Sequence, residues 1–522
     1  MANDSTSSYF ALVSSYGEEQ IDSQAIEAGL LAAIADTGAQ ASRRQEYIST
    51  ILSRFVYSAQ DRHTARATSL ALTLLKTLGR QIDDTNELGT ERAISGLLSL
   101  ALDLKSQTEI DKEQADYAVD GCNEALTCVA NIMLLLPKCR PLFADIHGAD
   151  TIDKILQSGA TQTTAFLCGR CLFLSIESPK SAEYCVDSLD LPKTLAQAIR
   201  GFLDRESDKS DRFSPQQVMN ELFKAAMSLC VYYPRDTPQG SSDDALSPEH
   251  AVKLLDILQI SLDTLFALPL ANGHLADPAR QAIGIALNFP TLSPDPILHC
   301  WLPPKSSSGA ESERYRYVDR IYHLFATLAA TSDESYKAEI TPLALVLVRL
   351  VTEQPDVRQR LFYRVYPQNT EDYSALPEDR PGLSGTLVRL MRIPEGGMVS
   401  GAIGDFLLAL LGQDVSKFIL AVGYGNAAGY MLARGIAIPD SVIRQVRESV
   451  DSNLVDPVTG RYLNQDMDRE LANMTDEEKE REAERLFVLF ERLNKTGFIK
   501  VDNPVRTAME SGRFQEIDEE SS

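Results

Sequence analysis

The chain has 522 residues, 44% of them hydrophobic and 24% charged, which is enough apolar material for a large core and excludes a disordered or fibrous polymer. Fifty lysines and arginines against 74 aspartates and glutamates leave a net charge of −24, a field that repels phosphate backbones, so nucleic acid is not expected as a partner. The first ten residues have no basic and then apolar leader, and apolar stretches such as Leu343 to Val348 fall far short of the ~18 residues that span a bilayer, so neither secretion nor direct membrane insertion is expected.

Along the chain one phrase recurs, an apolar helical run ending at a polar or proline break. Ala125–Pro137, Leu167–Ser178, Leu222–Pro234, Ala282–Pro290, Leu343–Pro355 and Ala402–Asp414 all read this way, each with small residues that let helices approach closely. Taking Asn131, Cys171, Ser228, Asn288, Arg349 and Leu408 as comparable points gives spacings of roughly 40 to 60 residues, against ~40 to 47 for armadillo or HEAT units. Polar loops at 234–249, 302–313 and 366–385 account for the excess. Alternating strand patterns are scarce. The expected fold is therefore all-α, an armadillo/HEAT-like helical repeat superhelix over residues 1–435, whose concave face, lined by one helix per repeat, is the default binding surface.

Residues 436–474 read as a linker. Within residues 451–522, which hold 18 acidic and 10 basic side chains, the segment 475–497 stands out as an amphipathic helix. Thr475 and Glu478 form a capping box, and Ala483, Leu486, Phe487, Phe490 and Leu493 follow on one face before Gly497 stops it. Residues 498–522 are an acidic flexible tail. The amphipathic helix either caps the last repeat or docks on a partner.

Catalytic and ligand motifs are weak. Cys168-Gly-Arg-Cys171 has zinc or redox spacing but no second ligand pair, and its apolar flanks place both thiols inside a helix as buried structural cysteines. The eight cysteines suit a reduced compartment without disulfides, and the six dispersed histidines form no metal motif. Gly423-Tyr-Gly425-Asn-Ala-Ala-Gly429 imitates a dinucleotide fingerprint with its last gap one residue too long, after a helical run. Asn494 to Ile499 lacks the carboxylates of a calcium loop. No phosphate-binding P-loop is present, so no cofactor, metal or catalytic residue is expected.

Two stretches are more specific: KFILAVGYGNAAGYMLARG at Lys417–Gly435, and Asp456–Leu493 with its Pro-Val-Thr-Gly-Arg and Met-Thr-Asp-Glu-Glu phrases. They resemble the synembryn family, also called resistance to inhibitors of cholinesterase, with supporting matches at Thr386–Met391 and through the repeats from about residue 50; the tail looks fungal. That resemblance implies an armadillo/HEAT array that does no covalent chemistry. Instead it acts as a guanine-nucleotide exchange factor and folding chaperone for GDP-bound, nucleotide-free or nascent G-protein α subunits. It implies that the groove takes the last helix of the α subunit while the segment after the array grips the nucleotide domain. By motif, Lys76, Arg80 and Asn131 occupy the family's groove positions, Lys76 standing where Arg is usual.

From the residues themselves, Lys76 and Arg80 lie four apart and hence on one helix face, a small cationic site that could receive a terminal carboxylate; the alternative is an ordinary solvated face. Asn131, in an apolar run, either bonds the next repeat or reaches a ligand backbone, and Arg170 faces the same choice; Asn288 is read as structural. Leu486, Phe487, Phe490 and Leu493 are the candidate contacts of the tail. The interval before Pro457 lacks the dense acidic serine run that is phosphorylated in animal members, so control by that route is not expected. A cytoplasmic monomer recruited to the plasma membrane through its client is expected. The competing function is a peptide-binding scaffold or transport adaptor without exchange activity.

Overall fold

The computed structural model describes residues 23–436 apart from 37–42, 59–62, 82–85, 111–113, 207–210, 235–245, 290–291, 294, 305–310, 332–336, 368–375 and 393–396, together with residues 438 and 475. Among the described residues the fold is all-α. The only extended pairing among them is a single bridge between Ala271 and His274. Against the single array expected over 1–435, two compact units divide the chain: one contains the described residues up to 367 and then 390–413, the other those of 368–389 and from 414 onward.

The first unit is a stack of helix pairs. After helices at Ser23–Ala35 and Arg44–Ile51, the stack runs in chain order through α1 (Ala65–Leu78), α2 (Glu91–Ile110), α3 (Ala115–Leu135), α4 (Gly148–Gln157), α5 (Gln162–Ser175), α6 (Leu191–Leu203) and α7 (Pro215–Tyr232). They continue with α8 (Leu255–Ala267), α9 (Asp277–Asn288), α10 (Arg316–Ala329), α11 (Lys337–Glu353), α12 (Pro355–Val365) and α13 (Gly397–Leu410). Odd-numbered helices pack on one another in sequence, α1 on α3, α3 on α5, and so on to α11 on α13. Each of α2, α4, α6, α8 and α10 packs on the odd-numbered helix after it, and these five form a second row. The six apolar runs of the sequence lie on α3, α5, α7, α9, α11 and α13, six consecutive members of the first row.

Local chemistry explains where these helices begin and end. Thr64, Thr161, Ser214 and Ser247 each accept a backbone N–H at a helix start, and at Ser214 a capping box with Gln217 is completed by Pro215 in the first turn. Ends are closed partly from the next repeat. Arg320 of α10 donates to the Leu265 and Leu268 carbonyls at the end of α8, at 3.1 and 2.7 Å. Arg349 of α11 does the same for α9, donating to Ala286 and Leu287 at 3.2 Å and also to Phe289. A cation at a helix C-terminus meets the negative end of the dipole and the orphan carbonyls together.

Close approach of the first-row helices requires small residues at particular points. At Gly169 a Cβ would stand 3.0 Å from the backbone of Glu221 and Leu222 on α7. Thiols fill similar contacts: Cys128 Sγ donates to the Leu72 carbonyl of α1 at 3.8 Å and Cys171 Sγ to the Leu126 carbonyl of α3 at 3.7 Å. Cys168 and Cys171 are buried helical thiols, as read from their flanks; burial raises both, Cys171 to about 12. Asn288 is structural too, donating to the Gly284 carbonyl at 2.9 Å and to Met227 Sδ at 3.4 Å.

In the second unit Asp414 caps α14 (Val415–Val422), and Gly423, at φ +86°, turns the chain into α15 (Tyr424–Ala433). The glycine block is thus a helix–glycine–helix joint, stabilised by the Phe418–Tyr430 edge contact at 5.4 Å. Arg380 reaches the Ala421 carbonyl at 3.0 Å, tying the segment 376–389 to α14. The expected amphipathic helix at 475–497 lies outside the described residues except for Thr475.

Replacing Gly169 with Ala should separate α5 from α7 and destabilise the protein by about 1–3 kcal/mol. Gly201→Ala, in α6 with nothing within 4 Å of the added carbon, should be neutral or stabilising by up to ~1 kcal/mol. Urea unfolding of the two variants checks the pair; equal effects would show that the close approach at Gly169 is not under constraint.

Candidate partner-binding face

The sequence-predicted residues of the array fall on one row. Lys76 is in the last turn of α1, Asn131 in α3 and Arg170 in α5, so consecutive packed helices carry them. Arg80 departs from the expected geometry. Helix α1 ends at Leu78, and Arg80 lies in the turn beyond it, exposed and with its side chain paired to no described residue, so the four-residue spacing does not place it on a helix face with Lys76.

Lys76 is already committed. Its ammonium lies 2.6 Å from the Glu124 carboxylate of α3, with both side chains largely covered. The pair couples α1 to α3, and Arg80 is the exposed cation beside it, paired to no described residue. Asn131 is half-buried and its amide bonds to no described residue, which leaves it available to a ligand backbone.

Arg170 is clamped. Its Nε and Nη2 each donate to a different oxygen of Glu221 on α7, both at 2.9 Å, and its guanidinium lies 5.2 Å from the Phe166 ring, which stacks on Phe213 at 3.7 Å. Lys224 donates to the same carboxylate at 2.7 Å. Glu221 is only 4% exposed, whereas its two cations are about one-third exposed, at 34% and 31%. Burial alone would raise the Glu221 carboxyl, but the bonds from Arg170 and Lys224 outweigh it and hold it below its ordinary value. The three charges therefore form a fixed site of net +1 facing outward. The start of α3 is the opposite: burial, then Glu124 and Asp116, raise the carboxyl of Asp120.

Beside these polar groups runs an apolar lane. One turn beyond Asn131 is Leu134, 52% exposed; one turn beyond Arg170 is Phe173, 40% exposed; one turn beyond Ser228 is Val231, with Tyr232 next to it, both exposed. Four large exposed apolar side chains thus lie near the C-terminal ends of α3, α5 and α7, consecutive members of the packed row. Sequence reasoning passed over them because they sit inside the same apolar runs that mark the core. The three-residue offset from Asn131, Arg170 and Ser228 was the available signal. Glu221 could not be found that way, since only the packing of α5 on α7 brings it to Arg170. The tail residues Leu486, Phe487, Phe490 and Leu493 lie outside the described residues.

The sequence has relatives. The family model described as guanine nucleotide exchange factor synembryn matches residues 71–513, from α1 through the second unit and far into the tail. The chain is 31% identical over 406 residues, 73% of each chain, to chaperone Ric-8A of Macaca fascicularis, and 28% identical over 367 residues, 64% of each, to that of Xenopus tropicalis. It is 27% identical over 367 residues to a synembryn-like chaperone of Schizosaccharomyces pombe, covering 66% of this chain and 64% of the relative. The aligned stretch spans less than two thirds of the length of the Xenopus tropicalis and Schizosaccharomyces pombe relatives. The chain belongs to the synembryn family.

Because the Glu221 carboxyl is lowered in the folded state, its contribution to stability is complete above its ordinary value of 4.5 and is lost as pH falls through the lowered folded value. At pH 7 Glu221→Gln should cost about 1–3 kcal/mol, and the gap to the parent protein should close below about pH 4.5. Unfolding curves of both proteins from about pH 3 to 7 check this; a gap independent of pH would mean that Arg170 and Lys224 do not hold the ionised carboxylate.

Proposed function

We propose that the chain is a guanine-nucleotide exchange factor and folding chaperone for G-protein α subunits, binding GDP-loaded, nucleotide-free or nascent forms through the first row of its array. The match of the synembryn model across 71–513 carries this reading, and the description of the relatives as chaperones supports its folding half.

The face suits a helical ligand. Neighbouring helices pack ~8–10 Å apart, so α1, α3, α5 and α7 together span about 30 Å, the length of a helix of about 20 residues. An amphipathic helix at the C-terminus of the client lays its apolar side on Leu134, Phe173, Val231 and Tyr232. Its carboxylates meet Arg80, Arg170 and Lys224, and its unwound last turn meets the Asn131 amide. Lys76 acts at one remove, holding α1 against Glu124. Withdrawing that helix from the client's own core loosens the nucleotide site, and GDP leaves; no bond is made or broken. The stripe of Leu486, Phe487, Phe490 and Leu493 then holds the opened nucleotide domain. The protein works as a cytoplasmic monomer and reaches membranes through its client.

Accelerated GDP release from a purified α subunit tests the activity and separates it from a peptide-binding scaffold. Combining Arg80→Glu with Asn131→Ala should weaken binding of a peptide copied from the client's last helix at least about tenfold at unchanged melting temperature, since neither side chain holds the array together. Unchanged affinity would move the ligand off this face. Removing residues 475–522 should leave melting and peptide affinity intact while slowing GDP release. A truncation that melts earlier and aggregates would show that the segment caps the array, and one with full exchange activity would remove its role altogether.

A further inference from the structure

We infer that a second site, for an arginine or lysine side chain of a bound polypeptide, lies on the first unit at the C-terminal end of α5. It is a cavity of about 640 Å³ between the short helix Cys139–Asp145 and the next repeat's short helix Pro179–Glu183 with the turn that follows it. Phe143 and Ile176, both buried, give it an apolar floor, and the rings of His147 and Tyr184, 4.3 Å apart and tilted by 36°, form one wall. Cys185, 2% exposed, also lines it, and its thiol has no hydrogen-bond partner among the described residues. The rim is acidic: Asp145, Glu183 and Asp187 face the single cation Lys180.

That combination has one chemical complement. An arginine or lysine carries an apolar stem and a charged head, which fit a hydrophobic floor with aromatic walls beneath a carboxylate rim. The carboxylates already show this preference. Asp145 holds Lys180 at 3.0 Å and Asp187 holds Lys253 at 2.6 Å, while Glu183 is exposed and paired with no described residue. Lys180 is 87% exposed, and a surface pair of that kind is held weakly, so an incoming guanidinium displaces it at little cost and gains two-pronged bonding. The adjoining turn, Tyr184–Ser188, is held in place by Tyr184 donating to Asp150 at 2.8 Å and Tyr233 donating to Asp187 at 2.8 Å, so the rim is fixed in advance of binding.

The test uses the full chain and a fluorescent hexapeptide with two arginines, compared with the same peptide carrying glutamines. Because the protein's net charge of −24 attracts any cation, a reference variant neutralises two exposed acids elsewhere, Asp204→Asn with Glu206→Gln. Anisotropy titration should show saturable binding of the arginine peptide only. Asp145→Asn with Glu183→Gln should weaken it at least about tenfold while the reference changes it less than about threefold. Lys180→Ala should tighten it, by removing the internal competitor. Equal losses in the two double variants, no saturation, or no gain in Lys180→Ala would each overturn the assignment.

Discussion

The first unit depends on the close approach of consecutive odd-numbered helices. A helix such as α5 touches α3 on one side, α7 on the other and α4 behind, so most of its circumference is spoken for. This is why its sequence is apolar nearly all round and lacks the single stripe of a surface helix. It is also why a glycine occurs at position 169, where any side chain would press on the backbone of α7. What remains is one narrow strip per helix, and the strips of successive helices are forced into line by the same contacts. The candidate face is thus a consequence of the packing: Asn131 and Leu134 on α3 and Arg170 and Phe173 on α5 belong to adjacent strips because those two helices pack on each other.

The same constraint decides what could be read from sequence. Apolar runs closed by proline or polar breaks identified six members of the row at the correct places, because a helix buried on three sides leaves a composition signal regardless of its partners. Helix pairing in the second row left a weaker trace, since those helices alternate with loops of variable length. The arginines that close α8 and α9 left none. Arg349 in LVRLV looks like a polar interruption of an apolar run, and only the position of the preceding helix end, some sixty residues earlier, turns it into a capping group. The turn at Tyr184–Ser188 and the bond of Arg380 to α14 belong to the same category of tertiary fact.

Site residues were legible in part for a related reason. Type and approximate position survive in a sequence, but commitment does not. Lys76 and Arg80 look equivalent four residues apart, yet the helix ends between them and Glu124 takes the first. Arg170 reads equally as a bond to the next repeat or as a ligand contact, and it makes the bond, to a Glu221 that sits underneath it with almost no access to water. A whole-chain charge of −24 says little about such places. Glu221 is enclosed by two cations, so the local field at α5 and α7 is positive where a partner would meet it.

These commitments bear on how exchange can be reversible. In the proposed mechanism the client's last helix exchanges one apolar environment, its own core, for another, the lane of Leu134, Phe173, Val231 and Tyr232. Each large side chain contributes roughly 1.5–3 kcal/mol on burial, but the contribution is present on both sides of the exchange and largely cancels. What differs is the polar part, where the pre-oriented Arg170–Glu221–Lys224 group and Arg80 act on charges that the client's core does not match. A surplus of a few kcal/mol is enough to populate the nucleotide-free complex, since each 1.4 kcal/mol is about a factor of ten. It is also small enough for GTP, binding only the closed client, to overturn. A stronger face would trap the client instead of releasing it, and a face of flexible unpaired cations would spend its advantage on ordering them. In that mechanism, holding Arg170 and Lys224 on one buried carboxylate would give a surplus that is both available and limited.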